Sequence, residues 1–176
     1  MDIVYFDLET QRTFDEVGGR GHIRKLGLAV AVTYNTAAAT YHHYTEDQVD
    51  DLITELKSAD LIVGYNVLAF DYEVLRAYSD ESFEELNTAD MLAHLHHRLG
   101  FRVSLNSVAT ATLNVGKSAD GLQAVAWFRE GLIEKVLDYC QQDVEVTKNL
   151  YEYGKQHKHV YYWDRYRGRK TVPVDW

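Results

Sequence analysis

The order of the hydrophobic periods constrains this chain most: strand-like runs fill it as far as Tyr65, and helical spacing dominates almost everything after. Ile3 to Phe6 is a short apolar, β-rich run, and it reads as a buried strand that delivers Asp7-Leu8-Glu9-Thr10 at its end. Gln11 to Lys25 is polar and carries Gly18, Gly19 and Gly21, the composition of a loop. Leu26 to Tyr34 and Thr40 to Tyr44 read as two further strands in a meander. Thr45-Glu46-Asp47-Gln48 has the form of a capping box, and Val49, Leu52, Ile53 and Leu56 follow at helical spacing. An amphipathic helix therefore crosses over to the next strand, Leu61 to Tyr65.

Asn66 to Phe70 leads into a helix carrying Asp71, Val74 and Leu75, and Met91 to Leu99, Ser104 to Leu113 and Gly121 to Phe128 are helical segments. Leu132 to Tyr153 is the longest, with Leu132, Ile133, Val136, Leu137, Cys140, Val144 and Tyr151 on one side. His159 to Trp163 and Thr171 to Trp176 read as a C-terminal β-hairpin, where the sole proline, Pro173, suits an edge strand. Strands first, then a crossover helix and a strand, then helices, describe an α/β protein with a mixed sheet flanked by helices, a pattern that matches a ribonuclease-H-like fold.

At 176 residues, with 46% hydrophobic and 26% charged residues and no repeat or linker, the chain is expected to form one domain spanning 1–176. The lone cysteine, Cys140, excludes an internal disulfide, and no apolar run approaches the length of a membrane span. The cytoplasm is the expected compartment. A net charge of −9 argues against a nucleic-acid partner on its face. Clustered carboxylates that hold divalent cations answer the objection, because such a site presents positive charge to phosphate only once its ions are bound.

Asp7 and Glu9, two apart on a strand, point to one face while Leu8 points to the other, an arrangement that suits a cation but is common without one. Asp71 follows a buried strand and a turn-forming Asn66, and a helix N-terminus alone would explain an aspartate there. Tyr139 and Asp143 lie four apart on one helix face, at the margin of the apolar stripe. Singly, each has an ordinary explanation.

Their conjunction is more specific. Phe6-Asp7-Leu8-Glu9-Thr10, Gly64-Tyr65-Asn66-x-x-x-Phe70-Asp71 and Tyr139-Cys140-x-x-Asp143 resemble, in chain order, the three exonuclease motifs of the DEDD superfamily in its tyrosine-containing branch. The resemblance spans Ile3 to about Tyr151 and is similar to the proofreading domain of family B DNA polymerases, including the intermediate Thr88-Ala89-Asp90-Met91-Leu92. A looser similarity is to bacterial helicase-associated ribonuclease-H-like exonucleases. The resemblance implies a 3′→5′ exonuclease of DNA repair or processing that favours DNA over RNA and uses two divalent ions, Mg²⁺ or Mn²⁺. Its substrate would be nucleic acid with a free 3′ end, most simply single-stranded DNA, with a separate helicase as a candidate partner and no membrane. Asp7 would bridge the ions, Glu9 and Asp143 would hold the one bearing the attacking water, Asp71 would act mainly through water on the other, and Tyr139 would orient the attacking water. Leu8, Thr10, Asn66 and Phe70 would contact the last two nucleotides.

His94, His96 and His97 diverge on a helix and read as surface residues. Arg165, Arg167, Arg169 and Lys170 with Tyr161, Tyr162, Trp163 and Tyr166 form a basic-aromatic cluster that suits either a nucleic-acid backbone or a charge-protected edge hairpin. Two other functions fit parts of the pattern. A haloacid-dehalogenase-type phosphatase would use Asp7 as a nucleophile, and a non-catalytic module would keep the fold for nucleic-acid or helicase binding.

Overall fold

A computed structural model describes residues 1–80, 82–116, 121–164 and 166–176. Its strands are β1 (Ile3–Thr10), β2 (Leu28–Asn35), β3 (Thr40–Thr45), β4 (Leu61–Gly64) and β5 (Thr88–Asp90), joined in one sheet of order β3-β2-β1-β4-β5. The β1–β2 and β2–β3 pairs are antiparallel, and the β1–β4 and β4–β5 pairs are parallel. The helices are α1 (Val49–Ser58), α2 (Asp71–Leu75), α3 (Met91–Leu99), α4 (Leu105–Leu113), α5 (Gly121–Arg129) and α6 (Ile133–His157). Strands β6 (His159–Asp164) and β7 (Gly168–Pro173) close the chain as a separate antiparallel pair. This is the mixed sheet with flanking helices and C-terminal hairpin expected from the sequence.

The two faces of the sheet are covered by different helices, and strand parity decides which side chain goes where. Ile3 and Tyr5 of β1 pack with Val136, Cys140 and Val144 of α6, while Val4, Phe6 and Leu8 pack with Leu52 and Leu56 of α1 and Tyr72 and Leu75 of α2. Burial on both sides explains why the start of β1 is continuously apolar. The same parity sends Asp7 and Glu9 toward α6.

Several boundaries differ from the sequence reading, each for a tertiary reason. β1 runs through Thr10 instead of stopping at Phe6, because β2 supplies antiparallel partners as far as the Thr10–Leu28 pair. A register shift between Glu9 and Thr10 marks a bulge there. The parallel partner β4 gives out at the Tyr5–Val63 pair, so the second half of β1 is paired on one edge only. The Gly-rich loop contains a 3₁₀ segment at Arg20–Lys25, and β5 escapes a periodicity argument because it is three residues long. The capping box forms, with the Thr45 N–H donating to Gln48 Oε1 at 3.1 Å, but it caps a single 3₁₀ turn ahead of α1.

β7 begins at Gly168 and ends at Pro173, after which the chain leaves the hairpin to dock Trp176 on α6. The Trp176 indole N–H donates to the Tyr151 carbonyl at 3.0 Å, directly over Gly154, where a Cβ would lie 2.6 Å from the indole nitrogen. Among the described residues, no helix is long and apolar enough to cross a membrane.

Candidate active site

Asp7 and Glu9 leave β1 on the face that α6 covers, and Asp143 leaves α6 toward them. One carboxylate oxygen from each of the three lies within 4.8 Å of the others, with Glu9 buried and Asp7 and Asp143 half-buried. Hard oxygen donors crowded this closely fit a divalent cation of the Mg²⁺ or Mn²⁺ type, whose charge offsets their mutual repulsion. Tyr139 sits one helical turn before Asp143, to whose carboxylate its hydroxyl is hydrogen-bonded. Its ring is buried and meets Trp127 of α5 edge-on at 6.3 Å. Burial first, and then the charges of Asp143 and Glu9, push the phenol far above its ordinary range, so it remains a neutral O–H donor. Cys140, fully buried, directs its thiol at Asp7, 3.3 Å from the carbonyl oxygen and 3.7 Å from Oδ2. Burial and the adjacent carboxylates keep it protonated.

The fourth carboxylate arrives from the opposite face of the sheet. β4 ends at Gly64, where a Cβ would lie 2.2 Å from Val67 Cγ1 and 3.1 Å from the Phe6 carbonyl oxygen, so only glycine lets the chain turn this close to β1. Asn66 then adopts a left-handed conformation (φ 76°), which asparagine tolerates better than most residues. The buried carboxylate of Asp90 holds the turn, accepting from Asn66 N at 2.8 Å and Leu68 N at 3.1 Å while also capping α3 through Ala93 N at 3.1 Å. The turn delivers Asp71 to the start of α2, and its Oδ1 accepts the Leu8 N–H at 3.2 Å on the edge of β1 that β4 no longer covers. Asp71 is 2% exposed, and its pKa is pushed up to about 8 by burial, with the charge of Asp90 adding and the Leu8 N–H opposing.

The four carboxylates Asp7, Glu9, Asp71 and Asp143 and the Tyr139 phenol line one cleft of about 540 Å³, a volume ordinary for a small-ligand site. Asp71 shares its wall without belonging to the three-carboxylate cluster. The cleft is also lined by Leu8, Thr10, Asn66 and Phe70, the residues expected to meet substrate. Sequence reasoning missed Arg12, Phe14 and Arg20 from the Gly-rich loop and Leu122 and Val125 from α5. The loop closes back on β1's end through Gln11 N to Gly27 O and Arg12 N to Leu26 O, both 3.1 Å. The available signal was an aromatic between two arginines directly after the first motif.

Among the described residues, the histidines join no metal-binding group. His96 and His97 are exposed as expected, but His94 is half-buried against Trp176 and 3.4 Å from Asp175. In the basic-aromatic cluster, Arg165 lies outside the described residues and Tyr162 is buried. Arg169 lies over the Tyr161 ring at 3.7 Å and donates to the Ala111 carbonyl, contacts that tie the hairpin to α4.

Comparison with known proteins agrees with this architecture. The family model of the RNase H superfamily matches residues 4–154. Among solved structures, the family B DNA polymerase from the hyperthermophilic archaeon Pyrobaculum calidifontis superposes with a TM-score of 0.66 at 15% identity, over 88% of this chain and 24% of the polymerase. At that identity the likeness concerns the fold, and this chain corresponds to about a quarter of that protein's length. Among curated proteins none matches. Nuclease-type chemistry is what such a fold supports, and with the family model covering β1 through most of α6, the chain belongs to the RNase H superfamily.

Proposed function

We propose that the protein is a metal-dependent 3′→5′ exonuclease that hydrolyses phosphodiester bonds at the 3′ end of single-stranded nucleic acid, DNA in preference to RNA. The observation that carries this reading is the convergence of Asp7, Glu9 and Asp143 within 4.8 Å, with the Tyr139 hydroxyl on Asp143 and Asp71 on the same cleft wall. Two divalent cations, Mg²⁺ or Mn²⁺, would supply charge stabilisation and acidify the attacking water when bound. Asp7, Glu9 and Asp143 would hold them, and Asp71, on the same cleft wall, would assist. Tyr139, whose O–H is bonded to Asp143 and whose phenolate is disfavoured by burial beside the carboxylates, would position the attacking water through its hydroxyl oxygen, which accepts from the water, rather than act as the base. Leu8, Thr10, Asn66 and Phe70 seat the terminal nucleotides. The resemblance of the ordered motifs to those of the DEDD exonucleases is what supports the direction of cutting and the use of two ions, and the meeting of their acids in one cleft is consistent with it. A phosphatase using Asp7 as a covalent nucleophile has no need of Tyr139 beside it.

The test is digestion of a 5′-labelled single-stranded oligodeoxynucleotide with Mg²⁺ or Mn²⁺. Progressive shortening from the 3′ end, with release of mononucleotides and inhibition by chelator or by Ca²⁺, is expected. No product with either ion, or equal cutting of a circular strand, overturns the reading.

A further inference from the structure

The Gly-rich loop after β1 carries a second set of groups that the catalytic argument does not use. Phe14 and Phe70 meet edge-to-face with centroids 5.9 Å apart, and the Arg20 guanidinium lies 4.8 Å from the Phe14 centroid. The corner is fixed by the backbone: Gly19, at φ 104°, donates its N–H to the Phe14 carbonyl at 2.7 Å, a conformation open to glycine and strained for other residues. Phe14, Arg20 and Leu122 line both the carboxylate cleft and an adjoining outer depression of about 290 Å³, so one groove runs outward from the acids past these three side chains.

The charge pattern along this groove is selective. Arg24, Arg76, Arg98 and Arg129 are each paired with a carboxylate. Arg12 and Arg20 on the cleft wall, and Arg102, which donates to Asn66 Oδ1 at 2.6 Å, have no carboxylate partner among the described residues. In a chain of net charge −9, the guanidinium groups of Arg12, Arg20 and Arg102 stay clear of acids beside the groove, as those of Arg167 and Arg169 do on the C-terminal hairpin, and of these only Arg20 also lies over an aromatic ring at the cleft mouth. A ring face with a guanidinium over it is the combination by which single-stranded nucleic acids are held, stacking a base and meeting its phosphate. The acid on the outer rim, Asp15, disfavours a phosphate there and suits the amino groups of a base.

We infer that Phe14 and Arg20 form a base-stacking subsite for a nucleotide next to the scissile linkage, outside the contacts made by the sequence motifs. The ring of Phe14, braced by Phe70, takes the base in the place that the Arg20 guanidinium now covers, and Arg20 moves off the ring to meet the adjoining phosphate. This inference rests on the nuclease reading above, and the test separates the two. kcat/KM is measured on a labelled oligodeoxythymidylate and on the same strand carrying abasic residues at its 3′ end.

Wild type is expected to prefer the intact strand by roughly 10- to 100-fold. Phe14→Ala should lower kcat/KM on the intact strand to the abasic value, and Phe14→Trp should restore the preference. Phe14→Leu keeps apolar packing against Phe70 and carries the same expectation if the alanine variant folds poorly. Arg20→Gln should weaken both strands and flatten the log–log salt dependence by about 0.7, one phosphate contact on a single strand. A preference for the intact strand that survives in Phe14→Ala and Phe14→Leu overturns the subsite alone. A wild type that degrades neither strand overturns the nuclease reading and the subsite with it.

Discussion

Two phenol–carboxylate pairs lie along the interface of β1 with α6. At one end the Tyr5 hydroxyl donates to Glu152 Oε1 at 2.6 Å, and at the other the Tyr139 hydroxyl is bonded to Asp143. Both phenols are pushed upward by burial first and by the nearby carboxylate second. What differs is the company. Tyr5 is flanked by the rings of Tyr34 and Tyr151, at 6.4 and 5.9 Å, whereas Tyr139 feels the charges of Glu9 and Asp7 besides that of its partner. A tyrosine bonded to an acid is therefore an ordinary structural device here, and like-charge crowding is what marks the cleft. Ionised carboxylates within 4.8 Å of one another repel by roughly 1–3 kcal/mol per pair at water-like to surface-like dielectric constants, a cost tolerated where a cation relieves it.

Substitution at the acids tests this contrast most severely. On the proposed mechanism, Asp143→Asn or Asp7→Asn should reduce nuclease turnover by more than about 1,000-fold, because each would remove a charged metal ligand worth several kcal/mol in the transition state. Glu152→Gln should leave turnover unchanged and shift only the melting temperature, since the amide still accepts the Tyr5 O–H. Comparable loss of turnover in both would erase the distinction.

The phenols give a smaller and sharper comparison. Tyr139→Phe should slow single-turnover cleavage by roughly 10- to 1,000-fold, the range for one lost positioning hydrogen bond, with nucleic-acid affinity nearly unchanged. Tyr5→Phe should instead cost about 1 kcal/mol of unfolding free energy and no rate. Equal cleavage by wild type and Tyr139→Phe would make Tyr139 as structural as Tyr5.

The smallest effect concerns Asp71 and is read without metal. Its folded pKa, about 8, stands above the ordinary 3.8, so the folded state binds the extra proton and the group's contribution to stability is complete below pH 4. That contribution fades as pH rises through about 8, where the buried carboxylate is forced to ionise. In chelator, the melting temperature of wild type should fall over this window, and Asp71→Asn, which still accepts the Leu8 N–H, should fall less. Parallel melting-temperature profiles would show that Asp71 titrates normally.

The acids and the tyrosine were legible in the sequence because they sit on periodic elements: parity on β1 places Asp7 with Glu9, and helical spacing places Tyr139 with Asp143. Asp71 was legible as a position but not as a partner of Leu8, because that bond exists only where β4 stops short of β1's end. The length of β1 was hidden for the same reason, since pairing with β2 carries polar Asp7 to Thr10 into a strand that hydrophobicity alone ends at Phe6. Phe14 and Arg20 were marked only by their composition next to the first motif and not by position, because a loop folded by Gly19 and by backbone bonds to Leu26 and Gly27 has no period to read.

Asp90 touches no reacting group, yet its one carboxylate gathers three amides from two segments far apart in sequence. In the language of hydrogen exchange, Asn66, Leu68 and Ala93 share a single latch. Opening it releases the Asp71 turn and frays the first turn of α3 in one event, so their protection factors should rise and fall together. The mobility of the second motif is thereby tied to the start of a helix that lies outside the cleft.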